Sequence, residues 1–147
     1  MFRWLITALA VCLTGFSPVR AADGAVVSNV NGRYDDIRDA LIAAIEGRGL
    51  VISYTAHVAD MLQRTGKDIG ASKPIFDKAE TFEFCSANVS RKMMEAKPSN
   101  IVNCPFSVAI YSLPGDPGKV YLAYRRPLPG LAEVAKLLGG IVADVKP

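Results

Sequence analysis

Between residues 34 and 45 the apolar positions Tyr34, Ile37, Leu41, Ala44 and Ile45 recur at helical spacing, while Asp35, Asp36, Arg38 and Asp39 fall elsewhere on the wheel. That spacing predicts an amphipathic helix with one buried stripe. Asp35 and Asp36 suit the positive end of its dipole, Arg48 suits the other end, and Gly49 supplies the stop. Ala25 to Val30, before it, is a short β-branched run that reads as a strand, and Leu50 to Ala56, after it, reads as a second. Val58 to Arg64 predicts a shorter helix ending near Gly66. Thr81 to Ala87 alternates, with Phe82 and Phe84 on one face and Glu83 and Cys85 on the other. Ser86 or Asn88 can cap a helix reaching about Lys97, and Pro98 lies beyond it. Phe106 to Leu113 and Lys119 to Arg125 form a hairpin across the turn-rich Pro114 to Gly118. Leu131, Val134, Ala135, Leu138 and Val142 mark a closing helix, with Gly139-Gly140 as its weak point. The order β-α-β-α-β-α-β-β-α predicts an α+β domain: one mainly antiparallel sheet with helices packed on one face.

The first residues change the bookkeeping. Arg3 precedes an apolar run from Leu5 to Phe16, of signal-peptide length and too short to span a bilayer as a helix. Ser17-Pro18 breaks it, and Val19-Arg20-Ala21 places small or apolar residues three and one before a cut. Residues 1–21 therefore read as a signal peptide cleaved after Ala21, and 22–147 as a single α+β domain in the periplasm or secreted. Cleavage removes Arg3, Arg20 and no acid, so 17 basic residues fall to 15 against 14 acidic ones, a net charge of +1. No basic stripe remains that could release many counterions, which argues against a nucleic-acid partner.

Cleavage also discards Cys12 and leaves Cys85 and Cys104. In an oxidising compartment the pair is a disulfide, two separate thiols, or a metal or redox site. A helix inserted at one end of an antiparallel strand pair would bring the two cysteines to the same end. A bond there closes a loop of about 20 residues and adds on the order of 3 kcal/mol. Strand parity points the other way, since Cys104 runs in phase with Phe106 and Val108 whereas Cys85 opposes Phe84. The disulfide leads on condition that the phase breaks at Pro105.

Other candidate chemistry is sparser. A metal reading for copper or haem iron would recruit His57 and Met61, four apart, to Cys85 and Cys104. No nucleophile motif accompanies His57, so the sequence implies no catalytic residues and no cofactor. Asp35, Asp36 and Asp39 read as a solvated helix face, and Glu80 and Glu83 as an exposed strand edge. Arg125 and Arg126 could hold an anionic ligand by forked hydrogen bonds, with Tyr111 and Tyr124 as aromatic neighbours.

Five short stretches together resemble domain-of-unknown-function family 302. They are Gly49-Leu50-Val51-Ile52, Phe84-Cys85-Ser86-Ala87, Pro105-Phe106-Ser107-Val108, Gly118-Lys119-Val120-Tyr121 and Tyr124-Arg125-Arg126-Pro127. The resemblance spans roughly Tyr34 to Val142 and implies a fold similar to the TATA-binding-protein-like α+β sandwich, in members that are often dimeric. It implies no activity. Where it would place Asn-Pro this chain has Ser86-Ala87, and Cys104 stands where an aliphatic residue is commoner. The expected function is an exported, non-catalytic binding or interaction domain, a possible homodimer with a structural Cys85–Cys104 bond, whose partner is a small molecule or a cell-envelope protein. The alternative is a periplasmic protein that handles thiols or metals through the same two cysteines.

Overall fold

The computed structural model describes residues 24–71 and 73–146, so the signal peptide expected over residues 1–21 lies outside the described residues. The elements are β1 (Ala25–Asn31), α1 (Tyr34–Glu46), β2 (Ile52–His57), α2 (Val58–Asp68), β3 (Lys78–Phe84) and α3 (Ala87–Ala96). A 3-10 turn (Pro98–Asn103), β4 (Phe106–Ser112), β5 (Lys119–Arg125) and α4 (Ala132–Asp144) complete the chain. All five strands join one sheet in the order β1-β5-β4-β3-β2, and every neighbouring pair is antiparallel. The predicted α+β class and the order of elements hold.

One face of the sheet makes the core. Phe82 and Phe84 of β3, Phe106, Val108 and Ile110 of β4, and Val120 and Leu122 of β5 are buried there. Against them lie Ile37, Leu41 and Ile45 of α1, Met93 of α3, and Val134, Leu138 and Ile141 of α4. The stripes on α1 and α4 recur at three and four positions, which is why these segments bury a face as helices. α2 contributes nothing to this core and packs near β3. On the outer face Ala79 alone among the described residues is buried; Val27 and Tyr54 are 53% and 59% exposed.

Three readings change in the structure and one open choice is decided, each for a local reason. α2 runs through Gly66 to Asp68, helped by Thr65, whose hydroxyl donates back to the Met61 carbonyl. β3 begins at Lys78 instead of Thr81, because Lys78 to Thr81 pair fully with β4. Ser86, and not Asn88, caps α3: its hydroxyl accepts from the Val89 N–H. α4 continues unbroken through Gly139-Gly140 because a neighbour needs the room. A Cβ on Gly140 would lie 3.0 Å from the Arg48 guanidinium, which reaches across to Asp144 at 2.6 Å. The glycine pair is a close-approach site joining α1 to α4.

Candidate functional site

β4 and β5 are each seven residues long, yet their ladder covers only Ala109–Ala123, Ile110–Leu122 and Tyr111–Tyr121. At the Phe106 and Arg125 ends the strands pair with β3 and β1 respectively but not with each other. A cavity of about 260 Å³ opens at that end of the sheet. Its apolar wall is Phe106 with Leu131, Val134 and Leu138 at the start of α4, and its polar rim carries Glu83, Ser107, Arg125 and Arg126. Arg126 is tied to β1, donating its backbone N–H to the Gly24 carbonyl and Nη2 to the Ala25 carbonyl. Among the described residues the Arg125 guanidinium and the Glu83 carboxylate take part in no ion pair or side-chain hydrogen bond. Unpaired charges of both signs on one cavity are the chemistry of a ligand site rather than of a staple.

Cys104 also lines this cavity, and the cysteine pair stands beside it. The Sγ atoms are 3.1 Å apart, in contact but unbonded, and the Ser90 hydroxyl lies 3.8 Å from Cys104 Sγ. The parity objection is answered by where Cys104 sits: it follows the 3-10 turn, with its N–H donating to the Ile101 carbonyl, and lies outside β4. The bond from Cys104 to Pro105 is cis. Cys85 is exposed just beyond β3. Its thiol is pushed up to about 11, first by its hydrogen bond to Cys104, then by desolvation and by the nearby Glu83 carboxylate. Such a thiol is a weak nucleophile at neutral pH.

The remaining candidates are dispersed. Tyr111 lies on the outer face, stacked on Tyr121 at 5.0 Å between centroids and tilted against Phe76 at 5.3 Å. Tyr124 lies on the covered face, its hydroxyl beside Gly139. Of the proposed ligand residues, only Arg125 and Arg126 share a cavity. His57 pairs with Glu80, five positions before Cys85 and so about 17 Å away along the strand. Met61 is exposed on α2. The fold brings the cysteines together but not His57 or Met61 with them, and the described residues contain no cluster of three or more His, Cys, Asp or Glu side chains placed to hold a metal. A larger hollow, about 560 Å³, lies between α2 and the stretch Lys73 to Asp77, but it contains none of the candidate residues.

A further cluster escaped the sequence reading, which took Glu80 for an exposed edge. Glu80 faces the core side with its side chain 12% exposed, and it gathers three partners. Arg38 donates Nε to one oxygen at 2.5 Å, the Tyr34 hydroxyl donates to the same oxygen, and His57 Nδ1 is 3.0 Å from the other. The carboxylate's hydrogen bond raises Arg38, and burial, reinforced by Glu80, raises Tyr34 strongly. The Arg38 guanidinium also lies 5.5 Å from the centroid of the Phe82 ring. Glu80 shares its parity with Phe82 and Phe84, a signal lost when the strand is started at Thr81.

The profile of the family described as "Domain of unknown function DUF302" matches residues 26–145. The chain belongs to this family. Among solved structures it is similar to the crystal structure of an uncharacterised conserved protein DUF302 from Bacillus stearothermophilus. That match has a TM-score of 0.63 at 15% identity, covering 84% of this chain and 97% of the other. The likeness establishes the shared fold. No curated protein matches the chain.

Proposed function

We propose that this member of the DUF302 family is an exported, non-catalytic binding module whose ligand site is the cavity at the end of the sheet where the β4–β5 ladder has stopped. The observation that carries the reading is the unpaired Arg125 guanidinium at the rim of a cavity with a buried apolar wall. A guanidinium offers planar, forked donors, and the wall offers burial for an attached apolar group. Export rests on the residue pattern of positions 1–21. The Cys85–Cys104 bond, in this reading, is a staple that fixes one flank of the cavity.

Dimerisation is assigned to the outer face, toward its Tyr111–Tyr121 half, with a second copy as the occupant. Val27 is exposed there, next to the small pair Ala109–Ala123, so a like face can approach closely. Sedimentation velocity tests this part: Val27→Glu is expected to give monomers, and a wild-type protein monomeric at tens of micromolar overturns it.

The ligand reading is tested by thermal shift against a panel of small carboxylates, phosphates and free amino acids, run on wild type and Arg125→Gln. Stabilisation by at least one acid, lost in the variant, supports it; a flat panel refutes it. The second reading, a thiol or copper-handling protein, draws on the adjacency of the two sulfurs, since soft thiolates suit Cu(I). Two free thiols after native purification, together with a melting shift on adding Cu(I), would favour it.

A further inference from the structure

Glu83 and Arg125 are on the second- and first-to-last positions of their strands, and β4 lies between those strands. Both residues line the cavity, with Ser107 of the intervening strand between them. Two interstrand spacings separate their backbones by about 10 Å, and in the structure the carboxylate and the guanidinium do not meet across Ser107. They remain unpaired although opposite in sign. A carboxylate and a guanidinium held apart on one rim form a dipolar receptor, and a simple anion would satisfy only half of it. An anion also meets repulsion from Glu83, and a cation meets repulsion from Arg125.

From this juxtaposition we infer that the cavity binds a zwitterion with an apolar side chain, of the class of a free neutral α-amino acid. The inference rests on the binding-module reading and specifies the ligand for that same cavity. The ligand's carboxylate takes the Arg125 fork and its ammonium donates to Glu83 and the Ser107 hydroxyl on the outer side of the sheet end, while its side chain passes the end of the β4–β5 ladder to reach Phe106, Leu131, Val134 and Leu138 on the core side. Size agrees: about 260 Å³ is below the roughly 300–1,000 Å³ of sites for drug-sized molecules. The local structure agrees too: the β4–β5 ladder stops at Ala109–Ala123, short of Ser107 and Arg125, and both of these line the cavity.

The test uses three probes that share one side chain: L-leucine, N-acetyl-L-leucine, which lacks the ammonium, and L-leucinamide, which lacks the carboxylate. Titration calorimetry of the full mature protein is expected to rank leucine at least about tenfold tighter than either derivative, the scale of one charge-assisted hydrogen bond. Glu83→Gln should abolish the preference over N-acetyl-leucine and keep that over leucinamide, and Arg125→Gln should do the reverse. Neither side chain has a partner to lose, so both variants should melt close to wild type without ligand. If N-acetyl-leucine binds as tightly as leucine and loses affinity in Arg125→Gln, the zwitterion is overturned while an anion-binding module stands. If none of the three binds at millimolar concentration, the inference is overturned as well, and the carboxylate and phosphate panel decides the broader reading separately.

Discussion

Joining Cys85 to Cys104 has a magnitude set by chain length. The two residues are 19 positions apart, and closing a loop of that length in the unfolded chain removes about 11 cal/mol/K of entropy, or about 3 kcal/mol at 25 °C. In a domain of this size that corresponds to a melting-temperature difference of about 10 °C. The folded state has little to lose in forming the bond. The sulfurs are already in contact, Cys85 is exposed, and Cys104 lies in a turn instead of a ladder. The assay is a thermal melt with and without a phosphine reductant on wild type, Cys85→Ser, Cys104→Ser and the double variant, with thiols counted under denaturing conditions. The expected result is no free thiol in protein from an oxidising compartment and a fall of about 10 °C on reduction. All three variants should melt near the reduced value and ignore reductant. Two titratable thiols, or a reductive shift under about 2 °C, would refute the staple.

Four further outcomes follow from the packing and the ionisable groups. In reduced protein, alkylation of Cys85 should be slow at pH 7 and accelerate toward its pKa of about 11; rapid modification at neutral pH would contradict the pairing with Cys104. Glu80→Ala strands Arg38 over Phe82 with its side chain only 31% exposed, and chemical denaturation should register a loss of about 2 kcal/mol, less than the cost for a fully buried pair. Tyr34 is raised above its unfolded value near 10, so its contribution is fully present below that pH and is lost as pH climbs toward the folded value. Stability should therefore fall above about pH 10, and Tyr34→Phe should flatten that limb of the melting profile. Ser28 has a buried hydroxyl with no partner among the described residues, so Ser28→Ala should leave stability unchanged or raise it by about 1 kcal/mol; a clear loss would reveal a partner.

How much of this was legible in the sequence varies with the kind of signal involved. The helix stripe of Ile37, Leu41 and Ile45 and the alternation of Phe82 and Phe84 are local periodicities, and they gave the elements and the buried face. Arg125 and Arg126 could be proposed because two adjacent guanidiniums at a strand end are themselves a chemical signal. Glu83 could not be joined to them, since that link depends on which strand lies between β3 and β5 and on where the ladder stops. Glu80 was lost differently. Its parity was present in the sequence, but a carboxylate two positions before Phe82 looks like a strand edge until Arg38 and Tyr34 are known to cross over it.

The two polar clusters also differ in a way that separates structure from function. At one end of β3, Glu80 is nearly buried and fully partnered, with Arg38, Tyr34 and His57 meeting its oxygens. A satisfied cluster of this kind holds α1 and the β2–β3 edge in register and presents little capacity to bind anything else. At the other end, Glu83 and Arg125 are unpartnered, the β4–β5 ladder has stopped, and the wall is apolar. Folding alone gains nothing from keeping two opposite charges apart beside a hole. A ligand that spans them would gain from both, and that asymmetry along one strand is the physical reason to seek binding at the Cys104 end of the sheet.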